Sequence, residues 1–391
     1  MKRRAQWERR VQLAAHPVAY PLLRAVARCG PVVRVPGVGV VVNDAATARE
    51  ILLDGETFRK DGPGSPGELW TPVLGPSVLL NMEGPAHREL RSKLTGLFTP
   101  GYAERLCDDV LAGPLERLAD RLRGGAAVDV ADEMRVMAGA VICAVIGLEA
   151  GGEAAYRHMF AQGEKIVSMV SLRTRRLSTA QAARARKVLD PIGAIAARAY
   201  ASGDESTVMG RMRTLGLSES EARGAAGAFF LTGTETVATL VPRLIALLHD
   251  TGRLGDVAAD PGRLLDPSID EAMRVTTPTP VMLRSVHKRA RVGGVTVEPG
   301  DRVLIATHNC CRSFGPFDPD RPPPDLRRLW FGAGPHFCLG YPLAMAEIRV
   351  VVRTLLAAAP LKIVRRRPAR GVLIPAYRSV ELRRVVGAKT P

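Results

Sequence analysis

Phe331-Gly332-Ala333-Gly334-Pro335-His336-Phe337-Cys338-Leu339-Gly340 is the stretch on which the reading of this chain turns. Its glycines make it a loop, and the loop ends at the mouth of a helix beginning Tyr341-Pro342-Leu343-Ala344-Met345-Ala346-Glu347-Ile348. Pro342 suits the first turn, where its missing N–H leaves no hydrogen bond unmade. Unpaired N–H groups and partial positive charge at a helix N-terminus stabilise a thiolate, so Cys338 is placed where its anionic form is favoured. Gly332, Gly334 and Gly340 let the backbone approach something flat and bulky without Cβ clashes. The ordinary alternative is a buried, inert cysteine ahead of a helix.

Upstream, Ser218-Glu219-Ser220-Glu221 is a capping-box start. The run it opens, Ala225 to Ala238, is apolar nearly all round and should be buried. Glu235 and Thr236 in its middle are costly there unless they serve something; the bland reading is a solvent-exposed pair. Gly233 is a poor helix residue that can open a groove in the backbone ladder. Pro242 deletes a hydrogen bond to Ala238 and should bend the helix.

The two motifs together resemble those of the cytochrome P-450 family. FGxGxHxCxG matches its heme-ligand signature, and Gly233-Thr234-Glu235-Thr236 resembles its oxygen-activation motif. Thr232 stands where Ala or Gly is usual and Val237 where a second Thr or Ser is common; neither departure removes the acid–alcohol pair. The resemblance implies an α+β fold, mainly α, with Cys338 as axial ligand to the iron of heme b. Phe331 and Gly233 would lie against that cofactor. Glu235 and Thr236 would be catalytic, the hydroxyl holding a proton-donating water and the acid taking part in the relay. Glu271-Ala272-Met273-Arg274 matches the family's ExxR helix; Glu271 and Arg274 would be structural, locking the irregular stretch Phe317–Pro322 that supports the cysteine loop. Alone such a pair carries little, about 0.2–0.5 kcal/mol on a helix surface. Heme propionates want cationic partners. His87 and Arg91 (HxxxR on one helix face), Arg284 and His336 match those positions; solvated surface charge is the alternative for each.

The chain has 391 residues, 46% of them apolar, enough for a sizeable core. It is read as a single unit over 1–391, with a β-rich N-terminal part at about 30–55, a helical part at about 85–275 and the heme-ligand loop at 331–340. The basic start to Arg10 reads as an N-terminal arm, residues 61–79 as a Gly/Pro/Ser-rich loop, 292–305 and the C-terminal tail as β. A net charge of +16 favours acidic partners. Basic residues are dispersed and only 5% of residues are aromatic, so nucleic acid is not expected. No CxxC occurs among the six cysteines, and Cys310-Cys311 reads as buried packing. No uninterrupted apolar stretch of about 20 residues occurs, so no transmembrane anchor is expected.

By resemblance, the function is a heme-thiolate monooxygenase acting in the cytoplasm on a hydrophobic small molecule, in secondary metabolism, as a monomer. Electrons would come from an acidic ferredoxin or flavodoxin with its reductase, since no flavin or iron–sulfur module is encoded. Trp70, Ala228, Phe229, Val281, Met282, Ile374, Pro375, Ala376 and parts of 165–178 would shape the substrate pocket. The basic run Arg173, Arg175, Arg176, Arg184, Arg186 and Lys187 is either a solvated helix face or a docking site for an anionic substrate or an acidic carrier protein. Two other classes stay open: a heme-thiolate enzyme that is not a monooxygenase (oxidative coupling, isomerase or peroxide-driven), and a non-catalytic heme-binding protein.

Overall fold

Val32–Val35 (β1) and Gly39–Val42 (β2) pair as an antiparallel hairpin, turning through Pro36-Gly37 with Gly37 at φ 72°. The computed structural model describes residues 6–148, 151–170, 174, 176–321, 326 and 328–385. Ahead of the hairpin lie α1 (Gln6–Ala15) and α2 (Ala19–Cys29). After it come α3 (Ala45–Leu53), β3 (Phe58–Arg59), α4 (Pro66–Leu74), α5 (Gly84–Thr95), α6 (Pro100–Arg123) and β4 (Val128–Asp129). The helical centre comprises α7 (Val130–Ile146), α8 (Glu153–Val167), α9 (Thr179–Ser202), α10 (Val208–Thr214) and α11 (Glu219–Thr251). It closes with α12 (Leu254–Ala259) and α13 (Pro261–Thr276). Then follow β5 (Met282–Val286), β6 (Ala290–Val292), β7 (Val295–Val297), β8 (Arg302–Ile305) and α14 (Thr307–Arg312). The chain ends in α15 (Tyr341–Ala357), β9 (Leu361–Pro368) and β10 (Tyr377–Arg384). This is the α+β, mainly α arrangement expected.

The main sheet has the order β1-β2-β8-β5-β3, with β2 and β8 parallel and its other pairs antiparallel. A second sheet runs β4-β10-β9, and β6 and β7 form a separate hairpin. The core is built on α11, which packs against α7, α8, α9, α13 and α15. Its capping box is formed: Ser218 Oγ accepts from Glu221 N (3.2 Å), and Glu221 Oε2 accepts from Ser218 N (2.7 Å). The helix continues without a break through Gly233 and Pro242. It is long and apolar enough to cross a membrane, yet 72% of its most apolar window is buried inside the protein.

Three segment readings need correction. Residues 61–79 are not all loop: Ser65 caps α4, its Oγ accepting from Glu68 N, and Glu68 Oε2 accepts from Gly64 N at 2.6 Å. The Ser-Pro-Gly-Glu sequence is a helix start hidden in a Gly/Pro-rich composition. The part at about 30–55 is only half β: Asp44 caps α3 through a 2.8 Å bond from Thr47 N, and the helix ends the β stretch. The described part of the N-terminal arm is not a loose extension but the start of α1, pinned to the core by Glu8, which pairs with the buried Arg243 of α11.

Candidate functional site

Cys338 owes its position to the loop before α15. Gly332 (φ 83°) and Gly334 (φ 63°) take backbone angles that favour glycine, and a Cβ on Gly334 would stand 2.9 Å from Leu52 O. Gly340 has an ordinary φ of −79°; what distinguishes it is that it borders the cavity. Cys338 N donates to Phe331 O (2.9 Å), which closes the loop. Phe331 packs edge-on to Tyr341, ring centroids 5.0 Å apart. The Cys338 side chain is bare, but it faces an internal cavity rather than bulk solvent. Burial pushes its thiol up; the backbone N–H of Gly340, the Arg91 and Lys60 cations and the N–H of Tyr341 pull the other way. The helix N-terminus therefore helps the thiolate, as the sequence led one to expect, but desolvation outweighs it.

The cavity measures about 600 Å³ and separates the Cys338 loop from α11, whose Thr232, Gly233, Glu235 and Thr236 line it. Thr236 Oγ1 donates to Thr232 O (3.3 Å) and Thr232 Oγ1 to Ala228 O (2.8 Å), so both hydroxyls rest on the helix backbone. Glu235 is buried; desolvation first, and then the charge of Glu164, push its pKa up to about 7. Of the residues expected in the pocket, Trp70, Ala228, Phe229, Val281, Met282 and Ile374 line it, with Val167, Val170 and Thr174 from the 165–178 stretch. Pro375 does not line it; its carbonyl accepts from Arg243 Nη1 (3.1 Å). Ala376 borders a smaller chamber behind α11. Arg173 and Arg175 lie outside the described residues.

Several basic side chains line this cavity. His87 and Arg91 reach it from α5, Arg284 from β5 and His336 from the loop. A fifth, Lys60, follows β3 and was not picked out by sequence reasoning; a lone lysine after a two-residue strand carries no motif. Glu83 is the carboxylate beside them, accepting from Lys60 N at 2.6 Å. His336 Nε2 lies 2.9 Å from Glu83 Oε1 but out of line for a hydrogen bond, and His87 Nε2 is likewise buried without a partner. The two rings stand 4.1 Å apart. Burial first, then neighbouring cations, lower His87 to about 4 and Lys60 to about 7. Burial lowers Arg284 to about 10. Buried donors left unpaired are rare. A flat apolar group bearing carboxylates, with an iron for Cys338, fits this donor set: it would pair the stranded basic groups and fill the apolar walls.

Glu271 and Arg274 lie away from the cavity's chemistry. Arg274 Nε and Nη2 donate to the two Glu271 oxygens (2.7 Å each), and Nη1 to Cys311 O (2.6 Å). Nη2 also reaches Gly315 O and Pro316 O, and Glu271 Oε1 accepts from Asp318 N (2.9 Å). The pair thus ties α13 and α14 to the irregular stretch ahead of the cysteine loop. Cys310 and Cys311 are buried, and no cluster of metal-ligating side chains occurs among the described residues.

The family model for cytochrome P450 matches residues 263–368. Erythromycin C-12 hydroxylase of Saccharopolyspora erythraea is 29% identical over 329 residues, 80% of each chain. A cytochrome P450 of Bacillus subtilis, YjiB, is 32% identical over 137 residues, 33% of this chain and 34% of that protein. This chain thus aligns with only about a third of YjiB but with most of the hydroxylase. Among solved structures, P450BioI in complex with acyl carrier protein bearing hexadec-9Z-enoic acid superposes with a TM-score of 0.81. It is 20% identical, covers 96% of this chain and 99% of that one, and so speaks to the fold alone.

Proposed function

We propose that this chain, similar to cytochrome P450 proteins in its family-model match and its relatives, is a member of that family and a heme-thiolate monooxygenase inserting one oxygen atom from O2 into a hydrophobic organic molecule. The observation that supports this reading is that Cys338 and the Glu235–Thr236 pair line one and the same cavity. When bound, heme b supplies oxygen activation, and a cysteine ligand favours O–O cleavage. Cys338 would hold the iron, and His87, Arg91, Arg284, His336 and Lys60 would hold the propionates. The Gly233 turn and Phe331 would lie against the ring. Thr236 would keep a water in place and Glu235, whose pKa is raised to about 7, would renew its proton. The apolar lining excludes water and holds the substrate close. Glu271 and Arg274 would act only by supporting the loop.

The relatives point to tailoring of secondary metabolites: one is an erythromycin hydroxylase. A cytoplasmic protein fed electrons by an acidic ferredoxin or flavodoxin fits the basic charge. The fold neighbour solved with a carrier protein, and the exposed Arg184, Arg186 and Lys187 on α9, favour a second reading in which the substrate arrives tethered to an acidic carrier. The test of the reaction class is direct. The ferrous-CO complex should show the red-shifted Soret band of thiolate ligation, and Cys338→Ser should lose it while the protein stays folded. Retention of that band in the variant, or wild type that consumes reductant without oxygenating any substrate in a broad hydrophobic panel, overturns the reading.

A further inference from the structure

Behind α11 lies a second chamber of about 40 Å³, and Glu235 borders both it and the main cavity. Its walls come from α7 (Arg135), α8 (Phe160, Glu164), α11 (Glu235, Thr239) and the approach to β10, ending at Tyr377. The missing side chain of one glycine explains the arrangement. Gly163 has no Cβ, and one placed there would meet Thr234 Oγ1 at 3.1 Å, so α8 lies directly on α11 at that turn. The next residue on each helix is then a glutamate: Glu164 follows Gly163, and Glu235 follows Thr234. The charge of Glu164 raises Glu235, and no hydrogen bond to either carboxyl is found among the described residues. Glu164 is half-buried at the rim, whereas Glu235 is buried.

A water needs roughly 10–15 Å³ of such volume and a few polar partners. The chamber meets both conditions, for Glu164, Glu235, Arg135 and Thr239 all line it. Arg135 opposes the burial that raises Glu164. Tyr377, the remaining titratable group on the wall, is pushed up by burial and stays neutral. Resting on the monooxygenase reading, we propose that the protons consumed at the cavity enter through this chamber, with Glu164 as the outer carboxyl that passes them by way of water to Glu235. Insertion of one oxygen atom with release of the other as water takes up a pair of protons and a pair of electrons. The electrons come from the acidic redox partner, and each proton that leaves Glu235 for the cavity is replaced from Glu164 and then from solvent. Glu164 is a positioning and resupply residue; it does not touch substrate.

The experiment uses the heme-loaded protein and three variants, Glu235→Gln, Glu164→Gln and Glu164→Asp. Infrared difference spectra against Glu235→Gln identify the Glu235 carboxyl band, and a pH titration follows it. Removing the neighbouring charge in Glu164→Gln should move the Glu235 midpoint to lower pH. Product formed per reductant consumed should fall roughly 10- to 100-fold, at or below the lower end of the 10²–10⁴ typical of a proton donor in direct contact. The solvent deuterium effect on turnover should rise, and Glu164→Asp should restore most of the yield. The ferrous-CO band and the substrate-induced spectral shift should not change. An unmoved Glu235 midpoint, or an unchanged isotope effect and yield in Glu164→Gln, overturns the route. Wild type that makes no oxygenated product would instead overturn the reaction class, since the infrared titration does not depend on turnover.

Discussion

Glu347 lines the main cavity from α15, and its Oε1 is buried with no hydrogen-bond partner. Burial alone pushes this carboxyl up to about 8, so it is neutral at pH 7. The sign of its effect on stability follows. The folded value lies above the ordinary carboxylate range, so the folded state favours the protonated form. That contribution is fully present below the ordinary value of 4.5 and is lost as pH rises through about 8. Glu347→Gln keeps the shape and removes the titration. Its Tm, measured relative to wild type on the heme-loaded protein, should climb by a few degrees between pH 5 and pH 9. Parallel Tm curves across that range would show that Glu347 stays charged and finds a partner on loading. Glu235 and Glu347 thus act oppositely to Asp61, which Arg59 holds low.

Helix contacts in this fold depend on side chains that are missing. A Cβ on Gly139 of α7 would stand 2.2 Å from Tyr156 O of α8, a backbone atom that cannot give way. Gly139→Ala should therefore destabilise by about 1–3 kcal/mol through overpacking, despite the roughly 1 kcal/mol that alanine offers a helix interior. Gly113→Ala in α6 meets only the flexible Arg117 Nη1 at 3.3 Å and should gain up to about 1 kcal/mol. Denaturant midpoints of the pair check this, and a stabilised Gly139→Ala would refute the close-approach account. Such contacts also mark where sequence reading stopped. The Ser218 capping box and its apolar run reveal α11, Pro342 marks the start of α15, and the cysteine loop announces itself because its chemistry sits in ten consecutive residues. Gly139 and Gly163 read only as weak helix residues, because their use lies in another helix. Lys60 and Glu164 were invisible for the same reason: each becomes part of a site only when a distant segment folds against it. The start of α4 was hidden differently, its Ser65 cap and Pro66 counted as loop composition rather than as a helix signal.

At the scale of the whole molecule, charge sets the partners. A net charge of +16 at pH 7 surrounds a cavity whose own cations would be neutralised by the cofactor, so what remains outside is available to steer acidic proteins. Two such proteins are proposed, and they should use different faces. An electron donor must come near the Cys338 loop, which opens onto α15, whereas Arg184, Arg186 and Lys187 are exposed on α9, which packs on α4, α10 and α11. Exposed charges lose their reach as the Debye length falls from about 30 Å at 0.01 M salt to about 10 Å at 0.1 M. The Kd of an acidic ferredoxin or flavodoxin should therefore weaken roughly tenfold or more over that range, mainly through a slower on-rate. Replacing Arg184, Arg186 and Lys187 together with glutamate should leave that Kd unchanged. The same triple variant should raise KM for a substrate tethered to an acidic carrier and spare the free substrate, with the ferrous-CO spectrum intact. If donor affinity falls with the α9 change, the donor docks on α9 and the two-face arrangement is wrong. If neither partner responds to salt, the basic balance of the chain serves solubility and not recognition.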